Sequence, residues 1–197
     1  MVEPIILVAG LGRCGSSLTM QMLAAAGVPT VGDWPDFEHS SATGLPGNYA
    51  EWLPLAKGRA VKALDPHRWT LPGYSNYALI WLSRHPVEQA KSMLKLIGQR
   101  NDRQARRAME ASVRRDAQIA RKAVDRAMLV GGSDLSRTLS LPFETMIHAP
   151  DIAAAKIASL LFEVTGRHVD TDAMARCVRK RPATCLPYML ELELIGG

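Results

Sequence analysis

The sequence has little cysteine, and no cysteine pair. Cys14, Cys177 and Cys185 are odd in number and show no paired spacing, which argues against a secreted disulfide scaffold and against a zinc site. Long apolar runs are missing too, since none reaches the ~18 residues of a membrane span. The N-terminus, Met1-Val2-Glu3-Pro4, carries an acid where a signal peptide needs a base, so no export is expected. There is no internal repeat and no low-complexity tract. These absences predict a cytoplasmic protein. What is present is ordinary for a globular chain: 197 residues, 47% hydrophobic and 22% charged. That length and balance predict a single domain over 1–197 that needs no disulfide or metal to hold its core.

The net charge is +5, and it is local. Between Arg100 and Arg126 nine bases stand against four acids, and the rest of the chain is neutral. An anion-binding face, a nucleic-acid surface and a solvated helix all fit such a segment. Its aromatic-free face and mixed charge argue against specific nucleic-acid binding.

Apolar runs alternate with helical patterns. Ile5–Ala9 is wholly apolar, as a strand buried on both faces must be. A glycine-rich turn follows, and then a helical pattern over Ser16–Ala26 that stops at Gly27. Further strands are expected at Arg59–Leu64, Ala78–Leu82 and Leu139–Leu141. Helices are expected from Pro86 to about Ile97 with Ala90, Met93, Leu94 and Ile97 inward, over 101–128, from Asp151 to Thr165 and from Thr171 to Val178. Pro86 suits a first helical position because its φ is already set. The stretch at about 28–58 reads as an irregular insert, with a short helix over Tyr49–Lys57. The alternation predicts an α/β protein with a three-layer P-loop fold and a central, mainly parallel sheet flanked by helices.

Residues 10–17 read Gly-Leu-Gly-Arg-Cys-Gly-Ser-Ser. Gly10, Gly15 and Ser17 match the phosphate-loop spacing G-x-x-x-x-G-K-[ST], but Ser16 holds the lysine's place. Such a loop turns successive N–H groups toward an anion, and the following helix adds positive potential. Without the lysine, a magnesium-bound triphosphate loses its main cation. Arg13 offers a cation for a terminal phosphate or sulfate instead. A second anion site is expected where the third strand ends at Arg84. Ser92 lies eight residues on, along the helix begun by Pro86. Both fall at the C-terminal edge of the sheet, where parallel α/β proteins bind ligands.

These two motifs together resemble those of the sulfotransferases that use 3′-phosphoadenosine 5′-phosphosulfate (PAPS). Gly12-Arg13-Cys14-Gly15-Ser16-Ser17 is similar to the family's P-R/K-S-G-T-T loop, with Gly12 for Pro and Cys14 for Ser. Arg84, Pro86 and Ser92 match the second signature, with His85 for the usual Asp. Ser17–Leu23, Gly47–Glu51, Arg59–Leu64 and Phe143–Met146 resemble segments of small bacterial members. The family's third motif, Arg-Lys-Gly, meets only Arg179-Lys180-Arg181. The resemblance implies transfer of a sulfuryl group from PAPS to a hydroxyl or amine, leaving 3′-phosphoadenosine 5′-phosphate (PAP), with no metal.

Residue by residue, the resemblance implies that the backbone of Cys14, Gly15, Ser16 and Ser17 holds the 5′-phosphosulfate, with Gly12 and Arg13 also in the cofactor-binding set. Arg13 stabilises charge on the bridging oxygen. Arg84 and Ser92 hold the 3′-phosphate, for which a planar guanidinium is apt, and Arg179 and Arg181 lie in the cofactor-binding set. For the catalytic base His67 and Asp65 rank first and Glu38 next, the latter from a stretch that also holds Asp33, Asp36 and His39, with Lys62 catalytic through charge or structural. Cys14, in the anion cradle beside Arg13, is expected to carry a lowered thiol pKa and to alkylate readily. Trp34, Phe37, Tyr49, Trp52, Trp69, Tyr74 and Tyr77 line an acceptor pocket or pack the insert. The acceptor itself, whether small molecule, glycan or protein, is not named by the sequence. A P-loop kinase or NTPase and a non-catalytic nucleotide-binding protein remain the alternatives.

Overall fold

The structure, a computed structural model, describes residues 3–38, 55–68 and 70–178. Its centre is the strand β1, Ile5–Gly10, every residue of which is buried. Parallel neighbours flank it on both sides: β2 (Ala60–Leu64), and β3 (Tyr77–Ser83), which itself pairs with β4 (Thr138–Pro142). The order β2-β1-β3-β4 is parallel throughout.

Strand alternation sorts the β1 side chains into two cores. Ile5, Leu7 and Ala9 join Leu79 and Trp81 under the long helix. Ile6 and Val8 join Ile80, Leu82 and Leu141 on the other face. Burial on both faces is why the strand reads as an unbroken apolar run.

Helices cover each face. On one side lie α1 (Ser16–Ala25), the short α4 (Phe143–His148), α5 (Pro150–Thr165) and α6 (Thr171–Arg176). On the other lies α3 (Arg103–Gly131), which packs against α2 (Pro86–Leu96). The result is the expected three-layer α/β arrangement.

Local chemistry sets the ends. Asp102 caps α3 by accepting the Ala105 N–H at 2.8 Å, the usual work of an N-cap aspartate. Gly132 closes the helix in a left-handed turn at φ 75°. The apolar stripe of α3 buries Val113, Ala120 and Val124, leaving its arginines largely toward solvent. Ile97, expected inward, is 53% exposed, because α2 ends at Leu96 and Ile97 caps it. The segment after β4, for which the apolar pattern predicts no helix, is the helix α4. Among the described residues no helix is long and apolar enough to cross a membrane.

Core position therefore decides mutational cost. Leu79→Ala, at a site with no exposure, should lose about 2–5 kcal/mol in urea denaturation. Leu129→Ala, 61% exposed on α3, should stay within about 0.5 kcal/mol. Equal losses would contradict the assignment of the two positions.

Candidate functional site

The β1–α1 loop lies at the C-terminal edge of the sheet. Arg13 (φ 67°) and Gly15 (φ 95°) both take the left-handed conformation there. Glycine is required at 15 by space as well as by φ. A Cβ would come within 2.5 Å of Phe143 Cδ2 and 2.9 Å of Met146 Cε. At Gly10 a Cβ would meet Cys14 Sγ and Leu82 O, each at 2.8 Å. The two glycines that set the loop spacing are thus the two that the packing demands.

Three other elements grip the loop backbone. The Gly12 N–H donates to Asp65 Oδ1 at 3.1 Å. Gln89 Nε2 donates to Gly12 O at 2.7 Å, and Arg84 Nη1 donates to Arg13 O at 3.1 Å. The Asp65 N–H closes the circuit on Gly10 O at 2.9 Å. Beyond the loop, α1 begins with no side-chain cap on Gly15 and no acid in its first turn. Its first N–H groups have no intrahelical acceptor, and the helix dipole is uncompensated there.

The cationic side chains converge on this loop. Arg13 Nε donates to Ser92 Oγ at 3.0 Å. The Arg84 guanidinium lies 4.4 Å from the centre of the Phe143 ring, a cation–π distance. Arg13, Arg84 and Ser92 therefore sit in one cluster. Lys62, 3% exposed, reaches the loop from β2. Its Nζ donates to Ser17 Oγ at 3.1 Å, Asp36 O at 2.9 Å and Glu38 Oε1 at 2.9 Å. An ammonium has three donors, and each finds an acceptor, as a buried charge requires. The loop lacks its own lysine, and a lysine from the neighbouring strand stands beside it.

A known structure shares this architecture. The sulfotransferase STF9 from Mycobacterium avium superimposes with a TM-score of 0.51 at 14% identity, covering 89% of this chain and 67% of that one. The chain has a sulfotransferase-like fold. Retinol dehydratase in complex with androsterone and inactive cofactor PAP gives a TM-score of 0.47 at 15% identity, over 87% of this chain and 62% of that one. The sulfotransferase domain from the curacin biosynthetic pathway gives 0.42 at 13%, over 81% and 74%. The fold assignment rests on the first. The sequence matches no family model and no curated protein.

Within the sulfotransferase-like frame, the remaining candidate residues separate. Asp65 is taken up by the loop itself. His67 lies toward Asp116 of α3. Its Nδ1 is buried without a hydrogen-bond partner among the described residues. Glu38 is 47% exposed and, among the described residues, is held through Lys62 and its own turn. Arg179, Arg181, Tyr49, Trp52 and Trp69 lie outside the described residues.

Tyr74 and Tyr77 do not approach the loop. Tyr74 Oη donates to Glu3 O at 2.7 Å, and Tyr77 is fully buried at the start of β3. Both pack the N-terminal edge of the sheet, because the chain between β2 and β3 has to return there.

Two findings were absent from the sequence reading. Gln89 is one. It sits four residues before Met93, on the inward stripe of α2, and a lone amide on an apolar stripe signals a buried partner. Cys14 is the other, and it overturns the expectation of a reactive thiolate. Its side chain points into the core against Gly10, with no exposure. Burial pushes the thiol up to about 12, outweighing the N–H groups of Ser16 and Cys14 that favour the anion.

Cys14 should therefore resist iodoacetamide in the folded protein and react only in denaturant. Above pH 9 the unfolded thiol loses its proton while the folded one keeps it. The unfolded state then binds fewer protons, and stability falls as pH rises, by up to about 1.4 kcal/mol per pH unit. Relative to Cys14→Ser, wild type should show this extra loss in urea denaturation between pH 9 and 10.5. Rapid native alkylation, or identical slopes, would contradict the buried placement.

Proposed function

We propose that the protein is a sulfotransferase that carries a sulfuryl group from PAPS to a hydroxyl or amine acceptor. The observation that carries this reading is the cluster of Arg13, Arg84 and Ser92 around a helix-start loop held open by Asp65 and Gln89. Around the loop the offered groups are N–H donors, two guanidinium groups and hydroxyls, with the charge of the Lys62 ammonium close by. That donor set fits an anion with two separated phosphate groups. It also agrees with the family resemblance of both motifs and with the fold.

In this reading the backbone of Cys14, Gly15, Ser16 and Ser17 binds the 5′-phosphosulfate, with Cys14 serving through its N–H alone, while Gly12, engaged by Asp65 and Gln89, holds the loop in shape. Arg84 and Ser92 bind the 3′-phosphate. Arg179 and Arg181 join the cofactor-binding set on the sequence motif. Bound PAPS supplies a sulfuryl group on a phosphate leaving group. Arg13 is freed from Ser92 to neutralise the leaving oxygen, the electrostatic contribution that generally dominates such transfers. Glu38 is the base we favour over His67 and Asp65. It is the carboxylate with solvent access, and Lys62 anchors it to Ser17. Lys62 holds Oε1 of Glu38 and leaves Oε2 to accept the acceptor's proton.

Calorimetry should find PAP bound at least about tenfold more tightly than AMP without added metal, since only a 3′-phosphate engages Arg84 and Ser92. Arg84→Ala should lose about 1.5–3 kcal/mol of PAP binding, the range for charged hydrogen bonds. Equal affinity for AMP and PAP would sink the two-phosphate reading, and tighter binding of ATP with magnesium would favour a kinase or NTPase.

Turnover gives a separate test, read as PAP formed from PAPS. Arg13→Ala should slow it by roughly 10²–10³ while the apo melting temperature barely moves. Glu38→Gln should slow it by about 10²–10⁴, and His67→Asn should cost far less. The reverse order would make His67 the base.

A further inference from the structure

Between the end of β3, the start of α2 and the middle of α3 lies an open cavity of about 420 Å³. It adjoins the phosphate loop directly. Leu11 forms part of its wall, and Gln89, also in the wall, is the side chain that bonds Gly12 O at 2.7 Å. Its lining is not the group of seven aromatics for which the sequence left pocket lining and packing as alternatives. Trp81, a β3 residue left out of that aromatic group, contributes the large ring here.

The wall is selective in composition. Leu11, Trp81, Val113 and Ala117 make it mostly apolar, Arg84 and Arg114 are its charged members, and no acid lines it. The volume falls in the range of small-molecule sites. The Arg121 guanidinium stands 5.6 Å from the Trp81 ring centre and pairs with Asp125. Arg84 is engaged with Arg13 O and Phe143. Arg114 is different. It is 58% exposed at the rim, and only Nε and one Nη2 hydrogen go to Glu110 Oε1, at 3.1 and 2.7 Å. Among the described residues its remaining N–H donors have no partner.

We propose that this cavity is the acceptor site, and that it takes a small, flat, apolar hydroxy compound bearing a carboxylate or similar anion. The apolar body packs against Trp81, Val113 and Ala117. The anion meets Arg114 at the rim, and the hydroxyl points toward the loop beside Gln89. The assignment rests on the sulfotransferase reading above and goes beyond it in naming the acceptor's chemistry.

The test uses two probes of one shape, 6-hydroxy-2-naphthoate and 2-naphthol, titrated by calorimetry into the full chain saturated with PAP. The naphthoate should bind about tenfold more tightly than the naphthol. Arg114→Gln, at an exposed position that folding tolerates, should abolish that preference and leave PAP affinity within about twofold. Ala117→Trp, which fills the cavity, should abolish binding of both probes and again leave PAP binding intact. If PAP binds but the two probes bind equally, or Arg114→Gln leaves the preference unchanged, the proposal is overturned and the nucleotide reading stands. If PAP itself does not bind to the wild-type chain, the nucleotide reading falls, and the cavity's role as an acceptor site falls with it.

Discussion

Everything at the candidate site depends on how the Gly12 peptide is held. Its N–H is fixed by Asp65 and its carbonyl by Gln89, while the next carbonyl, that of Arg13, is fixed by Arg84. Arg13 is a non-glycine residue in the left-handed region, a conformation that costs about 1–3 kcal/mol and persists only where surroundings enforce it. Three side chains from three elements enforce it here. The loop is therefore shaped before any anion arrives, and a bound anion does not have to order it.

The parallel sheet makes that grip possible. Adjacent parallel strands all end at one edge, so β1, β2 and β3 deliver the loop, Asp65 and Arg84 to the same place. The residue pairing Val8↔Lys62 also puts Lys62 on the α1 face of the sheet, from which its ammonium reaches Ser17. Packing then divides the labour within the loop. Cys14 turns inward and serves the core, and Arg13 turns to Ser92. A cysteine inside an anion cradle is thus compatible with an inert thiol, because desolvation outweighs the local dipoles.

Much of this was legible in the sequence. The apolar run of β1, the spacing of Gly10 and Gly15, and Pro86 opening a helix each reflect a strict local constraint, and each lies where the pattern places it. The convergence of Arg13, Arg84 and Ser92 on one edge follows from the strand-loop-helix order. Other features depend on tertiary packing that no local pattern encodes. The direction of the Cys14 side chain is set by the gap left at Gly10. The recruitment of Asp65 to the Gly12 N–H depends on strand register. The cavity at Trp81 is built from β3, α2 and α3 together, elements that no local pattern brings to one place. Tyr74 and Tyr77 were misplaced because a loop between parallel strands must run from one edge of the sheet to the other, and its final residues belong to the far edge.

The central claim is that the backbone of this loop receives a phosphate group. Amide NMR on ¹⁵N-labelled protein, with PAP added stepwise, reads it at residue level. The largest shifts should fall on the N–H groups of Gly15, Ser16 and Ser17, together with the side-chain signals of Arg13 and Arg84. Shifts confined to the basic face of α3, with the loop amides unmoved, would contradict it.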